Sequence, residues 1–186
     1  MTTLYIYLFL TYPIVIFAHV SVQDIYWRDY IPGNIPDDAF LATPTNRYIA
    51  QVSFQGYNPG ILYPDTQVAA IDWSGKQIIK NNFKILCTTD LSRLFWEKVD
   101  FSKAHDNQMK NAVRGGWQPS YDLFIGRILE AGEWRIGRVL TIESGSVNGM
   151  HVWDAAGKTK RVLQFEILKY NTTVVSSNGI VIFRNK

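Results

Sequence analysis

The sequence predicts an all-β body: a tandem, pseudo-twofold repeat of antiparallel sheets, sandwich-like, whose halves share one core. Three observations carry this. The segment Asn-Phe-Lys-Ile-Leu at 82–86 returns 82 positions later as Gln-Phe-Glu-Ile-Leu at 164–168, and Gly-Lys turns precede both, at Gly75-Lys76 and Gly157-Lys158. Apolar residues fall in short runs of roughly four to eight, rich in β-branched and aromatic side chains, with Gly, Pro, Ser and Asn clusters between them. Helical periodicity is nearly absent.

Taken in order, residues 1–18 carry no charged side chain. The apolar run at 4–17 is shorter than the roughly 20 residues of a membrane span and is interrupted by Thr11 and Pro13, so it reads as a signal peptide. Cleavage after Ala18 would leave a secreted, extracellular chain starting at His19. The first repeat, 24–97, holds strands at 48–54, 67–71 and 83–86, with a Gly-Tyr-Asn-Pro-Gly turn at 56–60. Residues 90–98 have tolerable helical spacing. A polar linker at 98–109 marks the repeat boundary. The second repeat, 110–170, holds strands at 123–128, 135–142, 150–153 and 161–168. The tail, 171–186, reads as a hairpin or returning strand from 172–175 and 180–183.

Further matches align the halves: Ala39-Phe40 with Ala112-Val113, residues 48–51 with 124–127, Gly56 with Gly132, and Gly60 with Gly137. Trp73 and Trp153 stand at comparable places before the two Gly-Lys turns, and recurrence in both halves favours packing. A repeat of about 70 residues is small for an independent core, which is why the halves are expected to share one. Cys87 is the sole cysteine, so no intramolecular disulfide forms, and its alternation with Phe83 and Ile85 predicts a buried thiol.

A net charge of +3 from scattered residues excludes the clustered basic stripe of a nucleic-acid binder. The short cluster Lys158, Lys160 and Arg161 reads as a solvated strand edge. No Cys or His pair has metal-ligand spacing, with His105 and His151 far apart. No nucleophile elbow, phosphate loop or dinucleotide fingerprint occurs, so neither enzyme nor cofactor is implied. Asn171-Thr172-Thr173 is an acceptor sequon that places a glycan on Asn171 in a secreted chain.

The ordered set of short motifs is more telling than any one of them. Residues 32–39 read Pro-Gly-Asn-Ile-Pro-Asp-Asp-Ala, followed by Tyr48-Ile49-Ala50, Asn58-Pro59-Gly60 and the strand at 83–86. The second half answers with Asn111 to Trp117, Leu123 to Arg127, Ala131-Gly132-Glu133, Ile136-Gly137-Arg138 and the strand at 165–168. From about Tyr26 to Lys169 the chain resembles the DM-nine repeat proteins, found among insect secreted proteins, in molluscs and in natterin-type fish proteins. The resemblance implies a tandem all-β body and, from a mollusc member, a mannose-binding lectin of microbial recognition and innate immunity.

In that member the sugar contacts are an acidic residue after the Ala-apolar-x-small-Gly-aromatic stretch and a lysine after Pro-Gly. Carried over, these positions are Gln118 and Arg138 in the second repeat and fall near Thr45 and on Ile61 in the first. The first repeat has thus lost the pair. Gln118 offers an acceptor and two donors, and Arg138 a planar donor fork, as a ring of hydroxyls requires. Glu133 would restore a carboxylate acceptor and Trp117 an aromatic wall. The plainer alternative makes Arg138 and Glu133 a surface pair and Trp117 a core residue.

The expected partners are mannose-containing glycans on microbes or host surfaces, with a homodimer as one route to avidity. A second reading is a structural or protein-interaction repeat without a sugar site. A third follows the farnesoic acid O-methyltransferase label of insect relatives, against which stands the lack of any glycine-rich strand-to-helix cradle.

Overall fold

The computed structural model describes residues 24–104, 106–142, 147–172, 174–175 and 181–182. The described residues are all-β, with 60% of them in strands. The first seven strands are β1 (Ile25–Asp29), β2 (Leu41–Thr43), β3 (Arg47–Ser53), β4 (Tyr57–Tyr63), β5 (Val68–Asp72), β6 (Lys76–Ile79) and β7 (Phe83–Thr88). The next seven are β8 (Leu94–Asp100), β9 (Arg114–Gln118), β10 (Tyr121–Glu130), β11 (Glu133–Leu140), β12 (Gly149–Trp153), β13 (Thr159–Val162) and β14 (Gln164–Tyr170). A separate pair, β15 (Val174–Val175) and β16 (Val181–Ile182), is antiparallel, as the tail reading anticipates.

Every pairing in the first set has a counterpart in the second. β7 pairs with β1 and β3, β3 with β2 and β4, β4 with β5, and β5 with β6. β14 likewise pairs with β8 and β10, β10 with β9 and β11, β11 with β12, and β12 with β13. All pairs are antiparallel, and the sets join in one 14-stranded sheet where Tyr57 of β4 faces Trp117 of β9. The join is close. A Cβ on Gly56, which has φ +117°, would lie 2.3 Å from the Trp117 carbonyl oxygen, so only glycine lets the β3–β4 turn reach β9.

Among the described residues three apolar clusters fill the fold. One draws on both sets, bringing Ile49, Ile61 and Leu86 against Ile125, Ile136, Leu168 and Trp153. The other two are private, around Leu62, Ile71 and Ile85 in the first set and around Val139, Met150 and Ile167 in the second. The expected common core is therefore one of three. Full burial of each such aliphatic side chain contributes about 1.5–3 kcal/mol, so the shared cluster binds the sets strongly.

Several sequence expectations change. Residues 90–98 are not helical. Asp90 caps a single 3-10 turn, Leu91–Arg93, by accepting the Ser92 N–H at 3.0 Å, and β8 follows at once. β8 pairs with β14 along seven consecutive residues, an interstrand ladder that outweighs the weak local spacing. It takes the place of β1, so the second set opens at Leu94, ahead of the linker expected at 98–109. The turn expected at 56–60 is mostly strand, because Pro59 and Gly60 lie inside β4, paired with Gln51 and Ala50.

Trp73 and Trp153 are not equivalent. Ala70 pairs with Ile61 and His151 with Arg138, so two residues on, Asp72 corresponds to Trp153. A one-residue offset turns a side chain to the opposite face, and Trp153 enters the shared core while Trp73 packs against the first set. Cys87 is buried as expected, and burial pushes its thiol up to about 12. The leader at 1–18, ending at Ala18, lies outside the described residues, as do His19 and His105.

Candidate functional site

Polar contacts between the two sets gather along the seam, and the candidate residues lie among them. Gln118 ends β9 and pairs with Tyr121 at the start of β10. Its side chain turns inward, and Nε2 donates to Asn58 Oδ1 at 2.9 Å. Asn58 is 1% exposed, and its Nδ2 donates to the Phe54 carbonyl at 2.6 Å. Both amides are thereby fixed across the seam.

Arg138 lies on β11, beside His151 of β12. Its guanidinium crosses the seam as well. Nη1 donates to the Asp72 carbonyl at 2.7 Å, and Nη2 stands 3.5 Å from Asp72 Oδ2. Thr159 donates its hydroxyl to Asp72 Oδ1 at 2.8 Å. Burial draws the Arg138 guanidinium below its usual value, with the Asp72 charge opposing. Burial also raises the Asp72 carboxyl, against the Thr159 hydroxyl and the Arg138 charge, and lowers the His151 imidazole. Asp72 Oδ2 and Arg138 Nε are buried and make no hydrogen bond within the described residues, so the 3.5 Å ion pair is what holds that carboxylate oxygen.

Aromatic side chains complete the rim. Trp73 lies 5.1 Å from the Arg138 guanidinium and meets Phe54 edge-on at 5.3 Å. Gln118, Asn58, Phe54, Trp73 and Arg138 follow one another by contact, and Tyr121, the ladder partner of Gln118, completes what we term the seam ring. Phe54 and Tyr121 are 41% and 38% exposed, so the apolar rim reaches solvent while Asn58 and Gln118 are buried.

The four expected site residues separate. Gln118 and Arg138 share this ring. Glu133 does not take part: it accepts the Tyr63 hydroxyl at 3.1 Å and pairs with Arg135 at 3.4 Å. The surface pair of Arg138 with Glu133 is therefore replaced by pairs with Asp72 and Arg135. Trp117 is no core residue, being 43% exposed, and as the neighbour of Gln118 on one strand it points to the opposite face. It lies 5.8 Å from the Tyr57 ring and lines an open cleft of about 870 Å³ with Arg114, Gln118, Ser120, Tyr121 and Asp122.

In the first set, Ile61 holds the register position of Arg138 and is fully buried in the shared core. Thr45 is exposed, with its hydroxyl 3.1 Å from that of Thr43. Asn58, Asp72, Phe54 and Tyr121 escaped the sequence reading. Asn58 was hidden in an apparent turn, and no local signal marks Asp72, whose partners lie 66 and 87 residues away. Asn171 is exposed, with its carbonyl held by Arg93. Among the described residues no group of three or more His, Cys, Asp or Glu is placed to hold a metal, and no helix is long and apolar enough to cross a membrane.

Two strand sets of matching pairing, joined by a polar seam and one common apolar cluster, define an all-β repeat protein. The chain belongs to the DM9 repeat family: the family model matches residues 43–151, more than half of the 186 and spanning both strand sets. No curated protein matches the chain.

Proposed function

We propose that the chain is a secreted, non-enzymatic glycan-binding protein of the mannose-lectin type, acting in microbial recognition, with its primary site at the seam ring. The observation that carries this reading is the placement of Gln118 and Arg138 on one seam ring whose aromatic border of Phe54, Trp73 and Tyr121 is exposed at Phe54 and Tyr121. Amide and guanidinium supply donors and acceptors for hydroxyls, and the aromatic rim suits the apolar face of a hexose. Asp72 balances the Arg138 charge, which favours a neutral sugar over an anionic one.

A monosaccharide bound at millimolar strength corresponds to about 4 kcal/mol, so biological avidity calls for multivalent glycans or a homodimer. Retention on immobilised mannan tests the site, comparing the mature protein with Arg138→Ala and with Tyr121→Ala at the exposed rim. Both variants are expected to elute early. Equal retention of all three removes the assigned site, and no retention on any glycan removes the lectin reading. Amino-terminal sequencing of secreted material, expected to begin at His19, checks the leader, and a mass shift at Asn171 checks the sequon.

A further inference from the structure

We propose that the cleft beside the β9–β10 hairpin is a second subsite for a neutral oligosaccharide, adjoining the seam ring at Gln118 and Tyr121, so that one glycan spans both. The proposal rests on the seam ring being the primary sugar site. Trp117 and Gln118 line the cleft from β9 and Asp122 lines it from β10, while the Gln118 side chain also donates to Asn58 in the ring. Ser120, with φ +82°, lies in the turn between the two strands and lines the cleft, as does Tyr121, which also borders the ring. The two sites thus meet at the turn.

The cleft has the parts a sugar needs. Trp117 is 43% exposed and is steadied by the Tyr57 ring from the first strand set, giving a flat apolar wall fixed before any ligand arrives. Across the β9–β10 ladder Trp117 pairs with Asp122, and Asp122 Oδ1 stands 2.7 Å from Arg114 Nη2. Arg114 is anchored by donating Nε to the Gly116 carbonyl at 3.2 Å. Its guanidinium and the Asp122 carboxylate are each about half exposed and neighbouring, so a vicinal diol finds a charged donor and a charged acceptor side by side.

Charge decides the ligand class. Arg114 and Asp122 cancel, and they are the charged side chains of the lining, so the cleft offers no net field to hold a uronate, a sialic acid or a sulfated sugar. Its volume of about 870 Å³ falls at the upper end of common ligand pockets, roughly 300–1,000 Å³, and suits more than a single sugar.

Calorimetry with methyl mannoside, a mannotriose and a sialylated trisaccharide tests the proposal on the mature protein. The mannotriose is expected to bind about tenfold tighter than the monosaccharide, the sialylated sugar no tighter, and Trp117→Ala to erase the gain while methyl mannoside still binds. Asp122→Asn keeps the side-chain volume and removes the acceptor charge, and is expected to halve the gain or more without lowering the melting temperature. Equal affinity for one and three mannose units overturns the second subsite and leaves the first intact. Preference for the sialylated sugar overturns the neutral class, and loss of methyl mannoside binding in Trp117→Ala places that ring in the primary site. Binding of no sugar at all removes both readings.

Discussion

The hydrogen bond from Gln118 to Asn58 is both a strut between the strand sets and the floor of the proposed sugar site, and a double-mutant cycle measures the strut. Both residues are buried, at 9% and 1% exposure, and the bond is 2.9 Å long. Gln118→Ala removes the donor and leaves Asn58 Oδ1 buried with no partner, at a cost of about 1–3 kcal/mol. At roughly 3 °C per kcal/mol for a chain of this size, the melting temperature falls by about 3–9 °C. Asn58→Ala costs more, because its bond to the Phe54 carbonyl is lost too.

The double variant is expected to fall short of the sum by about 1 kcal/mol, since the second change removes a partner already orphaned. Urea unfolding of the wild type, both single variants and the double variant gives the four free energies, and a constant slope confirms that one cooperative unit still unfolds. Additivity within about 0.3 kcal/mol would refute the strut. A split transition would show that the two strand sets part before either melts.

Two more perturbations probe the frame and its titration. A Cβ on Gly60 would lie 2.2 Å from the Ala70 carbonyl oxygen, and one on Gly137 would lie 2.1 Å from that of His151. Gly60→Ala and Gly137→Ala are therefore each expected to cost about 3 kcal/mol in urea unfolding, and an unshifted midpoint in either refutes the matched close approach. His151 is held below its ordinary value by burial, with Arg138 and Arg161 adding to the effect and the Val147 carbonyl and Asp72 opposing. The unfolded chain takes up the proton first as pH falls below about 6.5, so the His151 contribution is present above that pH and lost below it. His151→Gln is expected to reduce the fall in the urea midpoint between pH 7.5 and 5.0, and an unchanged slope refutes the assignment.

The fold was legible where local chemistry agreed with long-range pairing. Phe83-Lys84-Ile85-Leu86 and its counterpart at 165–168 alternate charge and apolar bulk in both copies, and both are strands in matching registers. β4 was missed because Gly56, Pro59 and Gly60 read as turn residues, whereas Gly60 is demanded by the carbonyl of the next strand. β8 was missed because Leu91, Leu94 and Phe95 have helical spacing, and what makes Leu94 and Phe95 extended is β14, some 70 residues away. The site was legible in the same measure. Gln118 and Arg138 could be found by resemblance, but their partners Asn58 and Asp72 lie 60 and 66 residues back, and nothing near either residue announces the contact.

The asymmetry of the seam gives the sharpest separation of stability from function. At one register position the first set places Ile61 and the second places Arg138; at another, the first places Asp72 and the second Trp153. One side of the seam is thus closed by apolar bulk in the shared core, and the other by a buried ion pair at 3.5 Å. A buried pair is a poor source of stability, because stripping water from two charges offsets most of their attraction. Asp72→Leu alone strands the Arg138 guanidinium and is expected to cost about 3–5 kcal/mol. Asp72→Leu with Arg138→Met restores apolar closure, and is expected to fold as stably as wild type or up to about 4 kcal/mol more so, while losing retention on mannan. If the double variant is as unstable as the single one, the pair is needed for the fold itself. If it is stable and still binds, the pair has no part in recognition and the site lies elsewhere on the seam.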